Sequence, residues 1–115
     1  MLAPRERLWS TPEEVVAEAA RLLALTPQDV VYDVGAGDGR VLLHFASLAS
    51  PPRQVVGVEI HKDRAQSVAS MIASRGLQER CTVIIANALE LSYDDATAVF
   101  LYLVPRYFIS STHCP

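Results

Sequence analysis

Two cysteines in 115 residues, Cys81 and Cys114, are too few for a disulfide framework and lack the Cys-x-x-Cys spacing of a zinc or redox site. They read as ordinary thiols. No stretch approaches the roughly 18 apolar residues that a membrane helix needs, and the opening MLAPRERLWSTPEEVV has no continuous apolar secretion segment. The expectation is therefore a soluble, cytoplasmic protein without a membrane span. A basic block is missing too: 10 Lys and Arg are scattered among 13 Asp and Glu, for a net charge of -3, so nothing in the charge recruits nucleic acid. His44, His61 and His113 share no metal-type spacing; surface or structural roles are expected of them, and no metal.

What is present is apolar and periodic. Half of the residues are hydrophobic, enough for one packed domain over 1–115. The expected layout is an N-terminal helix over 11–25, a ligand-binding core over 29–105 and an irregular tail over 106–115. Thr11, Pro12 and Glu14 form a helix start of the Thr-x-x-Glu type, followed by an apolar stripe through Val15, Val16, Ala19, Ala20, Leu22 and Leu23, with Pro27 as a stop. Val30–Val34 is a short run rich in branched residues and reads as a buried parallel strand. A helix from Arg40 to Ala49 follows, with Val41, Leu42, Phe45, Ala46 and Ala49 inward, then a strand from Gln54 to Ile60.

A second crossover helix is predicted over Asp63–Arg75, with Ala65, Val68, Ala69 and Ile72 on one face and Gly76 as its cap. Strands from Thr82 to Ala86 and from Ala98 to Val104 complete the pattern. Alternation of strand and helix implies right-handed crossovers and a parallel sheet with helices on both sides.

The stretch VVYDVGAGDGR, Val30 to Arg40, places three glycines where the first strand turns into a helix, the place where open α/β folds bind ligands. Glycines there let the backbone turn tightly and approach a ligand. The dinucleotide fingerprint Gly-x-Gly-x-x-Gly needs glycine at position 40, but Arg40 stands there and the third glycine, Gly39, comes one residue early. No Gly-Lys-Ser/Thr follows, which excludes a Walker phosphate loop. Asp33 and Asp38 oppose a pyrophosphate but complement the cationic groups of a sulfonium and an amino acid, which points to S-adenosylmethionine. Glu59, 20 positions after Gly39, is placed to accept hydrogen bonds from both hydroxyls of an adenosine ribose. NAD satisfies Glu59 equally, so that residue alone indicates an adenosine nucleoside without naming it.

DVGAGDGR, VVGVEI and IIANALEL together resemble the Rossmann-like, seven-stranded S-adenosylmethionine-dependent methyltransferases. That resemblance implies a sheet of order 3-2-1-4 with flanking helices, and a cofactor, S-adenosylmethionine, held at defined positions. Asp33, Gly35, Ala36 and Gly37 would line its methionine side, Glu59 would hold the ribose, and Ile60 would lie against the adenine. Asn87 and Ala88 fall where the adenine edge is recognised; the family often has an acidic residue at position 87, and the Asn87 oxygen would accept from the adenine amino group instead. STPEEVV and ATAVFLYLVP add similarity to a branch of small methyltransferases that includes protein-lysine methyltransferases. In such enzymes the loop after the fourth strand meets the acceptor, making Leu103, Val104 and Pro105 acceptor-side candidates. Tyr102 reads as core packing, and Thr11 is a further candidate for the methionine carboxylate.

The expected function is methyl transfer from S-adenosylmethionine to a protein lysine, an in-line displacement that needs positioning and desolvation more than a protein nucleophile. An amine acceptor must arrive unprotonated, and no carboxylate or histidine is assigned as its base. The resemblance implies strands five to seven, but the sequence ends about ten residues beyond the fourth strand, so a truncated chain with an incomplete fold is expected, its fourth strand an edge for a partner to cover. The alternatives are a non-catalytic cofactor- or partner-binding fragment of this fold and an NAD-dependent oxidoreductase, the latter opposed by Arg40 and by the lack of a hydride-transfer site.

Overall fold

Right-handed crossovers and short apolar runs yield the expected order of elements. A computed structural model of the chain describes residues 12–101. It contains α1 (Glu13–Leu23), β1 (Val30–Val34), α2 (Arg40–Ala46), β2 (Gln54–Glu59), α3 (Lys62–Ser74), β3 (Cys81–Ile85), a 3-10 turn (Ala88–Glu90) and β4 (Ala98–Leu101). Thr11, Tyr102, Leu103, Val104, Pro105, His113 and Cys114 lie outside the described residues.

The four strands form one parallel sheet of order β3-β2-β1-β4. Register sets Asp33 between Gly57 of β2 and Phe100 of β4, and pairs Glu59 with Ile85. The glycine loop and the end of β2 therefore emerge side by side at the carboxyl edge of the sheet.

Among the described residues, helices flank one face only. Val31, Val55 and Cys81 share a row across the sheet and pack with Val16 of α1, Val41, Leu42 and Phe45 of α2, and Val68 and Ile72 of α3. Two successive crossovers in the same direction, β1 to β2 and β2 to β3, both of the favoured hand, must fall on the same side. The opposite face, Val30, Tyr32, Val56 and Val58, is covered among the described residues by the β3–β4 connection through Ala88, Leu91, Tyr93 and Ala96. Among the described residues the expectation of helices on both sides is thus corrected: the return connection crosses that face with one 3-10 turn. Thr97 ties it down, its Oγ1 accepting from the Val30 N–H at 2.9 Å and donating to Asp29 Oδ1 at 2.8 Å.

Helix ends differ where local chemistry intervenes. Pro12 is extended (φ -57, ψ 145) and holds the cap position of α1, not the expected first helical one; its carbonyl accepts from Val15 and Val16. Ala24 turns left-handed (φ 49), ending α1 at Leu23 and leaving Leu22 69% exposed instead of inward. The helix α2 stops at Ala46, where Ser47 and Leu48 switch to i→i+3 bonds, and Ala49 is exposed. In α3 the expected core positions Ala65, Val68 and Ile72 are buried, whereas Ala69 is exposed. Gly76 ends α3 as predicted, at φ +67, with Leu77 N–H donating to Ile72 O and Gly76 N–H to Ala73 O, the paired bonds of a Schellman cap.

Candidate functional site

The loop between β1 and α2 is held from within. Gly35 and Ala36 donate their N–H groups to Val58 O at 2.8 and 3.0 Å, Gly37 to Glu59 Oε1 at 2.8 Å, Gly39 to Ala36 O at 2.9 Å, and Arg40 to Asp38 Oδ1 at 3.0 Å. Five of the six amides from Gly35 to Arg40 are thus already bonded within the chain. A phosphate cradle requires amides directed at the ligand, so this loop is not built as one. Gly39 has a separate reason for its one-residue shift: at φ +83, a Cβ there would meet both Val68 methyls of α3 at 3.1 and 3.2 Å. The third glycine serves the packing of loop on helix.

Glu59 is 4% exposed and does more than the sequence indicated. Its Oε1 accepts from Gly37 N–H, and its Oε2 from His61 N–H at 3.0 Å, bridging the glycine loop to the start of α3. An ionised carboxylate offers about four lone-pair sites; these bonds use one on each oxygen and leave one on each. That is the donor demand of two vicinal hydroxyls.

Asp33 is 2% exposed, and its Oδ2 has no hydrogen-bond partner. Burial, and then the nearby Asp38 and Glu59 carboxylates, push its pKa from 3.8 up to about 7. An orphaned buried carboxylate oxygen is costly unless something cationic or a proton satisfies it. Asp33 also adds to the burial that raises the Cys81 thiol to about 11, which leaves that sulfur an inert core group.

A cleft of about 230 Å³ opens beside these groups, lined by Val34, Gly35, Val58, Glu59, Ile60, Ala86, Asn87 and Ala88. Whole small-molecule sites span roughly 300–1,000 Å³, so this cleft suits part of a ligand, of the size of its nucleoside end. It brings together Gly35, Glu59, Ile60, Asn87 and Ala88; Asp33 lies buried beneath the loop, and Gly37 reaches the site through Glu59. Ile60 is 60% exposed and offers an apolar wall. Asn87 has a local duty that sequence reading did not foresee: its Oδ1 accepts from Leu89 N–H at 2.9 Å and caps the 3-10 turn. A ligand amino group must share that oxygen.

A larger cavity, about 400 Å³, lies away from the cleft among α1, α2 and α3, with Glu13, Asp38, Arg40, His44 and Arg75 at its rim. It shares only Asp38 and Arg40 with the loop and none of the residues that line the cleft. His44 stands edge-on to Phe45 on α2, and the site uses only the backbone of His61. Among the described residues no three His, Cys, Asp or Glu side chains gather as metal ligands, and no helix is long and apolar enough to cross a membrane. Tyr32, Tyr93 and Asp95, which pack behind the cleft without lining it, carried no signal in the sequence because their contacts are made across the sheet face.

Fold and site together define an open α/β domain with a cleft at the carboxyl ends of β1 and β2. A family model described as a methyltransferase domain matches residues 31–111, and the chain belongs to the Rossmann-like, S-adenosylmethionine-dependent methyltransferase family. It is 32% identical over 94 residues to a protein-lysine N-methyltransferase of Saccharolobus islandicus (strain REY15A), covering 82% of this chain and 58% of the relative. Among solved structures it resembles an RNA methyltransferase from Salinibacter ruber in complex with S-adenosyl-L-homocysteine, at 28% identity and a TM-score of 0.75, covering 86% of this chain and 63% of that one. An S-adenosylmethionine-dependent O-methyltransferase from Thermotoga maritima shares the fold, with a TM-score of 0.71 at 23% identity, over 94% of this chain and 42% of that one. The chain spans less than two thirds of the length of each.

Proposed function

We propose that this chain binds S-adenosylmethionine at the cleft between β1, β2 and β3 and provides the cofactor side of methyl transfer to a protein lysine. The carrying observation is Glu59: a buried carboxylate at the end of β2, anchored by Gly37 and His61 N–H groups, with one lone pair left on each oxygen. In this reading Glu59 holds both ribose hydroxyls, Ile60 and Ala88 flank the base, and Asn87 meets its edge. Gly35, Ala36 and Gly37 form the methionine side, with Asp33, protonated in the free chain, releasing its proton to become the counter-charge when the cationic end binds. Bound there, the cofactor supplies an electrophilic methyl on a sulfonium, and the chain's own contribution is orientation and exclusion of water. Leu103, Val104 and Pro105 are the proposed acceptor edge. The loop amides, already bonded within the chain, favour this ligand over a dinucleotide.

The acceptor rests on two observations that pull apart. Similarity to a protein-lysine methyltransferase and the acidic net charge of -3 favour a protein. Similarity to an RNA methyltransferase supports RNA as the second reading. A cytoplasmic location accompanies either. The outer edge of β4, where Val99 and Leu101 are about half exposed, is where a partner would pair.

Calorimetric titration with S-adenosylmethionine, S-adenosylhomocysteine and NAD tests the ligand. Binding of the two sulfur compounds and not of NAD is expected, and a folded chain that binds neither sulfur compound refutes the reading. Incubation with methyl-labelled cofactor and lysate, followed by protease or ribonuclease, separates the acceptors: label lost only to protease supports a protein, and label lost only to ribonuclease supports RNA. No transfer, with cofactor bound, makes the chain a binding fragment.

A further inference from the structure

The cleft wall made by Asn87 and Ala88 belongs to no strand and to no helix longer than the three residues Ala88–Glu90. Leu89 at its tip is 94% exposed and adds no packing. The wall is held instead by Asn87 Oδ1 on Leu89 N–H, and by Tyr93, whose hydroxyl donates to Ala88 O at 2.8 Å. Tyr93 is fixed in turn: its ring stands edge-on to that of Tyr32, with centroids 5.2 Å apart at 71°. Tyr32 is buried against Val30, Val56 and Val58, and its hydroxyl donates to Asp95 Oδ1 at 2.8 Å. A continuous line of contacts thus runs from the central strand β1 to one carbonyl in the ligand cleft.

We propose that Tyr93 is a positioning residue for a purine nucleoside, its hydroxyl setting the Ala88 wall against Ile60 across the cleft. The proposal rests on the reading of this cleft as the nucleoside site. Tyr32 stabilises the same connection through Asp95 without touching Ala88, so the two tyrosines separate positioning from general stability.

The test measures binding of S-adenosylhomocysteine and of adenosine to wild type, Tyr93→Phe and Tyr32→Phe, with amide hydrogen exchange on the free proteins. Tyr93→Phe keeps the ring contact and loses one hydrogen bond, so affinity for both ligands should fall by the same factor, about 3- to 10-fold. Leu89 and Glu90 amides should exchange faster while those of Val31 and Val56 stay unchanged. Tyr32→Phe should lower the thermal midpoint and leave affinity as in wild type. Unchanged affinity in Tyr93→Phe, or equal losses in both variants, overturns the proposal while the ligand reading stands. A wild-type chain that binds neither ligand overturns the reading itself. Should Tyr93→Phe not fold, adenosine must slow exchange at Leu89 and Glu90 in wild type; no change there overturns the proposal.

Discussion

Asp33 makes the chain less stable as pH rises toward neutrality, and Asp33→Asn should remove that dependence. The carboxyl is 2% exposed with an unpartnered oxygen, and burial beside Asp38 and Glu59 raises its pKa from 3.8 to about 7. Between those values the folded chain keeps a proton that the unfolded chain releases. Stability from this group is therefore full below about 3.8 and is lost as pH climbs through about 7. Each pH unit of difference is worth about 1.4 kcal/mol, so the whole window is on the order of 4 kcal/mol. The part between pH 5 and pH 8 is about 3 kcal/mol. For a domain with a net stability of roughly 5–15 kcal/mol, that is a large share. The assay is urea unfolding of wild type and Asp33→Asn at pH 5, 6, 7 and 8. Taking the difference cancels most contributions of the other carboxylates, so Asp33→Asn should gain about 3 kcal/mol on wild type across that range. A difference that stays flat with pH would refute the inference that Asp33 is buried, unpaired and neutral in the free protein.

Glu59→Gln should weaken S-adenosylhomocysteine binding by roughly 10- to 100-fold through loss of a charged acceptor, as read by calorimetry. It should also cost about 1–3 kcal/mol in urea unfolding, because an amide NH₂ would face the Gly37 or His61 N–H; a loss of affinity with no loss of stability would rule out the bridging role. Gly76→Ala meets only its backbone angle, with open space around the new Cβ, and should cost about 1–2 kcal/mol. Gly39→Ala adds contact with Val68 and should cost at least about 1 kcal/mol more in the same experiment. Cys81, raised to about 11 and buried, should resist a thiol reagent at pH 8 in a Cys114→Ser chain and react only at the rate of unfolding.

Legibility in the sequence followed the range of the forces involved. The run Val30–Val34, the spacing of Ala65, Val68 and Ile72, and Gly76 after α3 are signals contained within a few residues, and each appears in the fold where it was read. The helix α1 ends at Leu23, two residues short of the expected 25, because Ala24 turns left-handed and Asp29 Oδ2 takes the Thr26 N–H at 2.7 Å. The 3-10 turn at Ala88–Glu90 was missed because its cap is a single asparagine oxygen two residues away. Gly35 and Glu59, singled out by their spacing, meet at one cleft with Ile60, Asn87 and Ala88, which only the family resemblance had marked. Behind that cleft the Tyr32–Asp95 bond joins residues 63 apart, and nothing local marks such a pair.

By itself, then, the amino-acid sequence determined the order of strands and helices and the glycine turn between β1 and α2, because dihedral preference and apolar period are properties of short segments. Tertiary structure alone decided that the helices share one face, that Glu59 joins two loops before any ligand arrives, that the Asn87 oxygen is already engaged, and that Asp33 holds its proton near neutrality. Each of these depends on burial and on distances between segments remote in the chain, and those exist only once the sheet has formed.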